Sequence, residues 1–155
     1  MATSWNDAAR DGLVCGSIAS VLSALYLAWA GRKRHETAAP VNAISHWFFG
    51  DRALRRDEPS LRYTLTGYLI HHAASLFWGV LYARYLATRP AYQKPIPIAA
   101  SAVAASSLAC LVDYQCTPGR LTPGFENRLP RTELAGVYAL FAVGLMVGSL
   151  LMRKR

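Results

Sequence analysis

The chain has 155 residues, of which 53% are apolar and 17% charged, with a formal net charge of +8. That charged share is below the roughly 25% usual for soluble domains. Charges gather in GRKRHE (31–36), DRALRRDE (51–58) and the closing RKR (153–155), with long apolar stretches elsewhere. Helices apolar on all sides argue against a soluble bundle, and a charge at a bilayer centre costs at least about 2.5–3.5 kcal/mol. The basic residues flank the apolar stretches, where they meet anionic lipid headgroups. No recognition-helix pattern or basic block with interleaved aromatics points to nucleic acid.

In chain order, MATSWNDAARDG lacks the basic start of a signal peptide and no A-x-A-like site ends the first apolar run, so that run is expected to be retained. It is the first of four predicted spans, at about 12–31, 63–83, 95–112 and 134–152, each close to the ~20 residues that cross a bilayer core. Gly12, Gly16 and Ser20 recur every four residues on the first span, and Gly144 and Gly148 on the fourth; such small faces let membrane helices approach closely. The third span is short, rich in Ala and Ser, and opens with two prolines, which makes it the weakest.

The link 31–62 contains PVNAISHWFFGDRALRR. Pro40 suits a first helical turn, and Val41, Ile44, Trp47 and Phe48 share a face. The spacing predicts an amphipathic helix over about 40–56, interrupted or ended near Gly50. It would lie at the lipid interface, with Trp47 at headgroup depth and Arg52, Arg55 and Arg56 reaching phosphates; His46 is expected near that surface. ATRPAYQKP is short enough to make spans two and three an antiparallel hairpin. The third link carries T-P-G twice, at 117–119 and 122–124, which fits two successive type II turns. Thr132 is expected to cap the fourth span, with Glu133 favourably placed against its dipole.

The chemistry rests on few residues. His71 and His72 sit at mid-depth of the second span, where an ionisable side chain is expected to face the bundle interior and hydrogen-bond a neighbouring helix, with Ser106 and Ser107 as possible partners. Proton or ion handling is the functional alternative for the pair, and metal or cofactor binding a third reading. Asp113 adjoins the third span; a salt bridge to Arg120 or Arg62 is its ordinary role. Cys15, Cys110 and Cys116 form no framework. No H-E-x-x-H, C-x-x-C, G-x-S-x-G, P-loop or dinucleotide pattern is present, so neither a cofactor nor an enzymatic activity is predicted.

The small-residue first span, the P-x-N link, the G-x-x-x-H-x-x-x-S-x-x-W-G-x-x-Y second span (67–82) and the short apolar pair resemble YagU-like bacterial inner-membrane proteins. The resemblance covers the four-span layout and leaves out the stretch 113–126. It implies an integral inner-membrane protein and supplies no catalytic residues. The expectation is thus an all-α polytopic membrane protein, a single domain over 1–155, with four transmembrane helices in a bundle and an interfacial helix. It would act by interaction, as an accessory subunit of a membrane complex or as a homo-oligomer. With four spans, links 31–62 and 114–132 share one side. They hold ten Lys and Arg against seven elsewhere, but the RKR tail opposes that count and no side is assigned.

Overall fold

In the computed structural model the described residues are 5–89 and 94–152. The first four residues, part of the ATRPAYQKP link and the RKR tail lie outside them. All regular structure among the described residues is helical: α1 (Trp5–Arg32), α2 (Ala39–Ile44), α3 (His46–Phe49), α4 (Thr66–Ala87), α5 (Pro95–Leu111) and α6 (Arg131–Met152). Five-residue π-helical turns, Leu61–Leu65 and Val112–Cys116, lead into α4 and out of α5.

Three helical segments, Trp5–Arg32, Pro95–Cys116 and Arg131–Met152, are long and apolar enough to cross a membrane. α4 matches α6 at 22 residues, but His71, His72 and three tyrosines dilute its apolar character. By sequence the third span is the weakest. The helical continuation to Cys116 lengthens it, and α4 is the one that does not qualify on composition.

The chain divides into two compact units. The first takes the described residues of Met1–Ser23, His72–Ala109 and Tyr138–Arg155. Its core is Cys15, Ala19, Tyr82, Leu86, Ala102, Phe141 and Leu145. Here α1 touches both α4 and α6 backbone to backbone. A Cβ on Gly12 would fall 2.4 Å from the Val80 Cα, and one on Gly16 2.5 Å from the Ser75 carbonyl oxygen. On α6, a Cβ on Gly144 would fall 2.2 Å from the Ala19 Cα, and one on Gly148 2.5 Å from that of Cys15. Ser20 is fully buried on α1. The α4–α5 hairpin is tied by the Tyr82 hydroxyl donating to the Ile98 carbonyl, 3.2 Å, and α5 joins α6 where the Ser106 hydroxyl donates to the Tyr138 carbonyl, 2.7 Å.

The second unit, Ala24–His71 and Cys110–Val137, is built around short helices and loops. A single amphipathic helix over 40–56 does not form. Ser45 folds its hydroxyl onto the Asn42 carbonyl, 2.7 Å, and separates α2 from α3; Gly50, at φ 61°, then turns the chain into a 3-10 helix over Gly50–Arg55. Every residue of α2 is buried, so it is an internal helix rather than an amphipathic one. Of the two T-P-G segments, Gly124 has the positive φ, 92°, that a type II turn requires, whereas Gly119 begins a 3-10 turn at negative φ. The fourth helix starts at Arg131, so Thr132 lies inside its first turn and does not cap it.

A contrast between glycines gives one expected result. A Cβ at Gly136 meets the far end of the Tyr26 side chain, 2.1 Å from its hydroxyl, whereas at Gly144 it meets backbone. A side-chain tip can swing aside and a helix cannot, so Gly136→Ala should destabilise less than Gly144→Ala. Equilibrium unfolding in mixed detergent measures the order; equal losses would contradict it.

Candidate functional site

Asn42, fully buried within α2, is the centre of one polar network of the second unit. Its Nδ2 donates to the Arg56 carbonyl, 2.9 Å, and the Glu58 carbonyl, 3.0 Å, and its Oδ1 accepts from the Thr64 hydroxyl, 2.6 Å. All its amide groups are used to hold the chain from Arg56 to Thr64 against α2. The residues ahead of α4 are further ordered by Ser60, whose hydroxyl accepts from the Tyr63 amide, 3.1 Å. α4 then enters so close to α2 that a Cβ on Gly67 would lie 2.0 Å from the Val41 carbonyl oxygen.

Arg128 ties the third link to the first. It donates to the Leu54 carbonyl, 2.8 Å, to Glu36, 2.7 Å, and to Asp57. A planar guanidinium with several fixed donors suits this three-way junction better than a lysine ammonium. His46 is buried, with Nδ1–H donating to the Ala43 carbonyl, 2.9 Å; a Cβ on Gly124 would come within 2.7 Å of that nitrogen. His46 is therefore a packed structural residue, not a surface one. On α6, Glu133 accepts from the Tyr26 hydroxyl, 2.6 Å, and pairs with Lys33, 3.4 Å, which also lies over the Trp29 ring, 3.5 Å.

The predicted interface residues are only partly brought together. Trp47 is half-buried, with its indole N–H donating to the Thr122 carbonyl, 2.8 Å. Arg52, Arg55 and Arg56 are exposed, and the exposed aromatic is the neighbouring Phe48. Tyr63 packs edge-on against Phe49, 5.2 Å between centroids, and two guanidinium groups gather on this pair. Arg56 lies 5.4 Å from the Tyr63 ring centroid; Arg62 lies 5.6 Å from the same centroid and 4.8 Å from that of Phe49.

His71 and His72 are half-buried on α4. The hydroxyl of Ser106 is directed to Tyr138 and Ser107 is exposed. Asp113 is half-buried in the π-helical turn after α5. Among the described residues no group of three or more His, Cys, Asp or Glu side chains could hold a metal ion.

Sequence reasoning did not single out Arg128 or Tyr63; it placed Asn42 only within the P-x-N link and named Arg62 only as a possible partner of Asp113. Asn42 had a readable signal, an amide inside the otherwise apolar APVNAI. Arg128 and Tyr63 had none, because their partners lie far away in the chain or across a loop. No protein-family model, curated protein or solved structure matches this chain.

Proposed function

We propose that this chain is a small integral membrane protein of the bacterial inner membrane that acts by interaction, as an accessory subunit or a homo-oligomer, with α4 as its fourth span. The observation that carries the reading is the close helix packing of the first unit. Where α1 meets α4 and α6, backbone lies so near backbone that a single methyl would collide, leaving no width for an ion or water file along those seams. That favours interaction over transport for this part of the bundle.

The outer faces support membrane embedding. α1 exposes Leu13, Val21 and Leu25, α4 exposes Leu69, Phe77 and Leu81, and α5 exposes Val103 and Leu108. Each unit also carries a tryptophan beneath a cation, Trp5 with Arg84 in one and Trp29 with Lys33 in the other. Tryptophan and basic residues are the pair enriched at the bilayer–water boundary. The half-buried histidines of α4 are tolerable in a span because imidazole can satisfy itself within a bundle.

The test is mass. Purified from native membranes in mild detergent, the protein is expected in a particle heavier than the single 17.0 kDa chain after correction for detergent. Multi-angle scattering and native mass spectrometry distinguish self-association from a hetero-complex. A monodisperse single chain from membranes would refute the interaction reading.

A further inference from the structure

We propose that Arg56 and Arg62, gathered on the Tyr63–Phe49 aromatic pair ahead of α4, form a clamp for the phosphate of an anionic phospholipid. The inference rests on the membrane placement above and names the lipid contact; it does not depend on a protein partner.

Four observations carry it. Both guanidinium groups lie over one ring, and stacking on an aromatic face leaves the N–H edge of each free to meet oxygen atoms. Two like charges drawn to one ring repel each other, and an anion between them removes that penalty. The nearest acids in sequence do not neutralise them: Asp57 is bound to Arg128, and neither Arg56 nor Arg62 makes an ion pair among the described residues. Glu58 joins the network through its backbone carbonyl.

The third observation is preorganisation. The amide network around Asn42 and Ser60 fixes the segment that carries both arginines, so little ordering is needed on binding. The fourth separates a lipid from free phosphate. Leu61, beside Arg62, is 83% exposed, and Phe48 70%. Apolar side chains left open beside a cationic pair fit acyl chains below a headgroup; inorganic phosphate would make no use of them.

Full-length protein in neutral detergent, titrated with phosphatidylglycerol or phosphatidylcholine and read by native mass spectrometry, tests the clamp. Wild type is expected to retain phosphatidylglycerol preferentially. Arg56→Gln and Arg62→Gln should each lower that affinity about five-fold. Arg52→Gln and Arg55→Gln each remove the same charge from an arginine that stacks on no ring among the described residues, and each should change it less than two-fold. Arg56→Lys with Arg62→Lys keeps charge, loses the planar fork, and should fall between. Leu61→Ser should weaken phosphatidylglycerol binding as well. Unchanged thermal unfolding in each variant separates lost binding from lost fold. Equal losses from the 52/55 and 56/62 pairs would replace the clamp with diffuse charge. Displacement of lipid by millimolar inorganic phosphate would reassign the site to soluble anions; either result overturns the proposal. Oligomeric mass from the same spectra bears only on the interaction reading, so the two can fail separately.

Discussion

Gly79→Ala is expected to destabilise the protein by about 1–3 kcal/mol, the usual cost of overpacking a filled core. The sign is opposite to that of an ordinary helix, where replacing an interior glycine by alanine gains roughly 1 kcal/mol. The reason is position. A Cβ at Gly79 would sit 2.4 Å from the Gly12 carbonyl oxygen and 2.7 Å from the Gly16 Cα. These are backbone atoms of α1, so accommodation requires the helices to move apart. In lipid, close packing is itself the main force holding helices together, and separation forfeits it along the whole seam. Gly79→Leu should prevent recovery of a monodisperse folded protein. Equilibrium denaturation in mixed detergent, with chromatographic recovery as a second readout, measures both. An alanine variant as stable as wild type would show that the seam is looser than described.

Asn42→Asp is expected to loosen the first link while leaving the helical unit folded. The substitution preserves shape and removes the donor. Where Nδ2 now donates to the carbonyls of Arg56 and Glu58, an oxygen would face two oxygens. An orphaned acceptor costs up to about 1–3 kcal/mol where water is kept from it, and repulsion between oxygens adds to it. The loss should be local because all three partners lie between Arg56 and Thr64. Limited trypsin digestion provides the readout. Cleavage after Arg55 and Arg56 should accelerate at least ten-fold, with α1 and α6 still protected. Asn42→Leu should show the same cleavage, since it leaves the same carbonyls without donors. Unaltered digestion of both variants would mean that the amide is not what holds the segment.

The two expected results fall on features that were unequally legible. Gly12, Gly16, Gly144 and Gly148 were readable as packing positions because their spacing of four is a local property of a helix. Gly79 escaped that reading. It stands alone between Trp78 and Val80, and its importance depends on which residues of α1 lie opposite. The amphipathic reading of 40–56 counted Val41, Ile44, Trp47 and Phe48 onto one face, but a break at Ser45 distributes them differently. Val41 and Ile44 are buried, Trp47 is half-buried and Phe48 is exposed. Periodicity cannot show a break made by a side chain that turns back onto its own backbone.

The sequence by itself determined where the apolar helices run. Apolar length and charge segregation are sums over adjacent residues, and the helices Trp5–Arg32, Thr66–Ala87, Pro95–Leu111 and Arg131–Met152 cover the expected stretches. It also determined that the loops would be rich in arginine. Only the tertiary structure decided what those arginines do. Arg128 is fixed by groups up to 92 residues away in sequence. Arg56 and Arg62 share the Tyr63 ring because Asn42 holds the intervening chain in place. Hydrogen bonds and ring contacts act over a few ångströms but between residues of any separation, so their partners emerge only once the chain has folded.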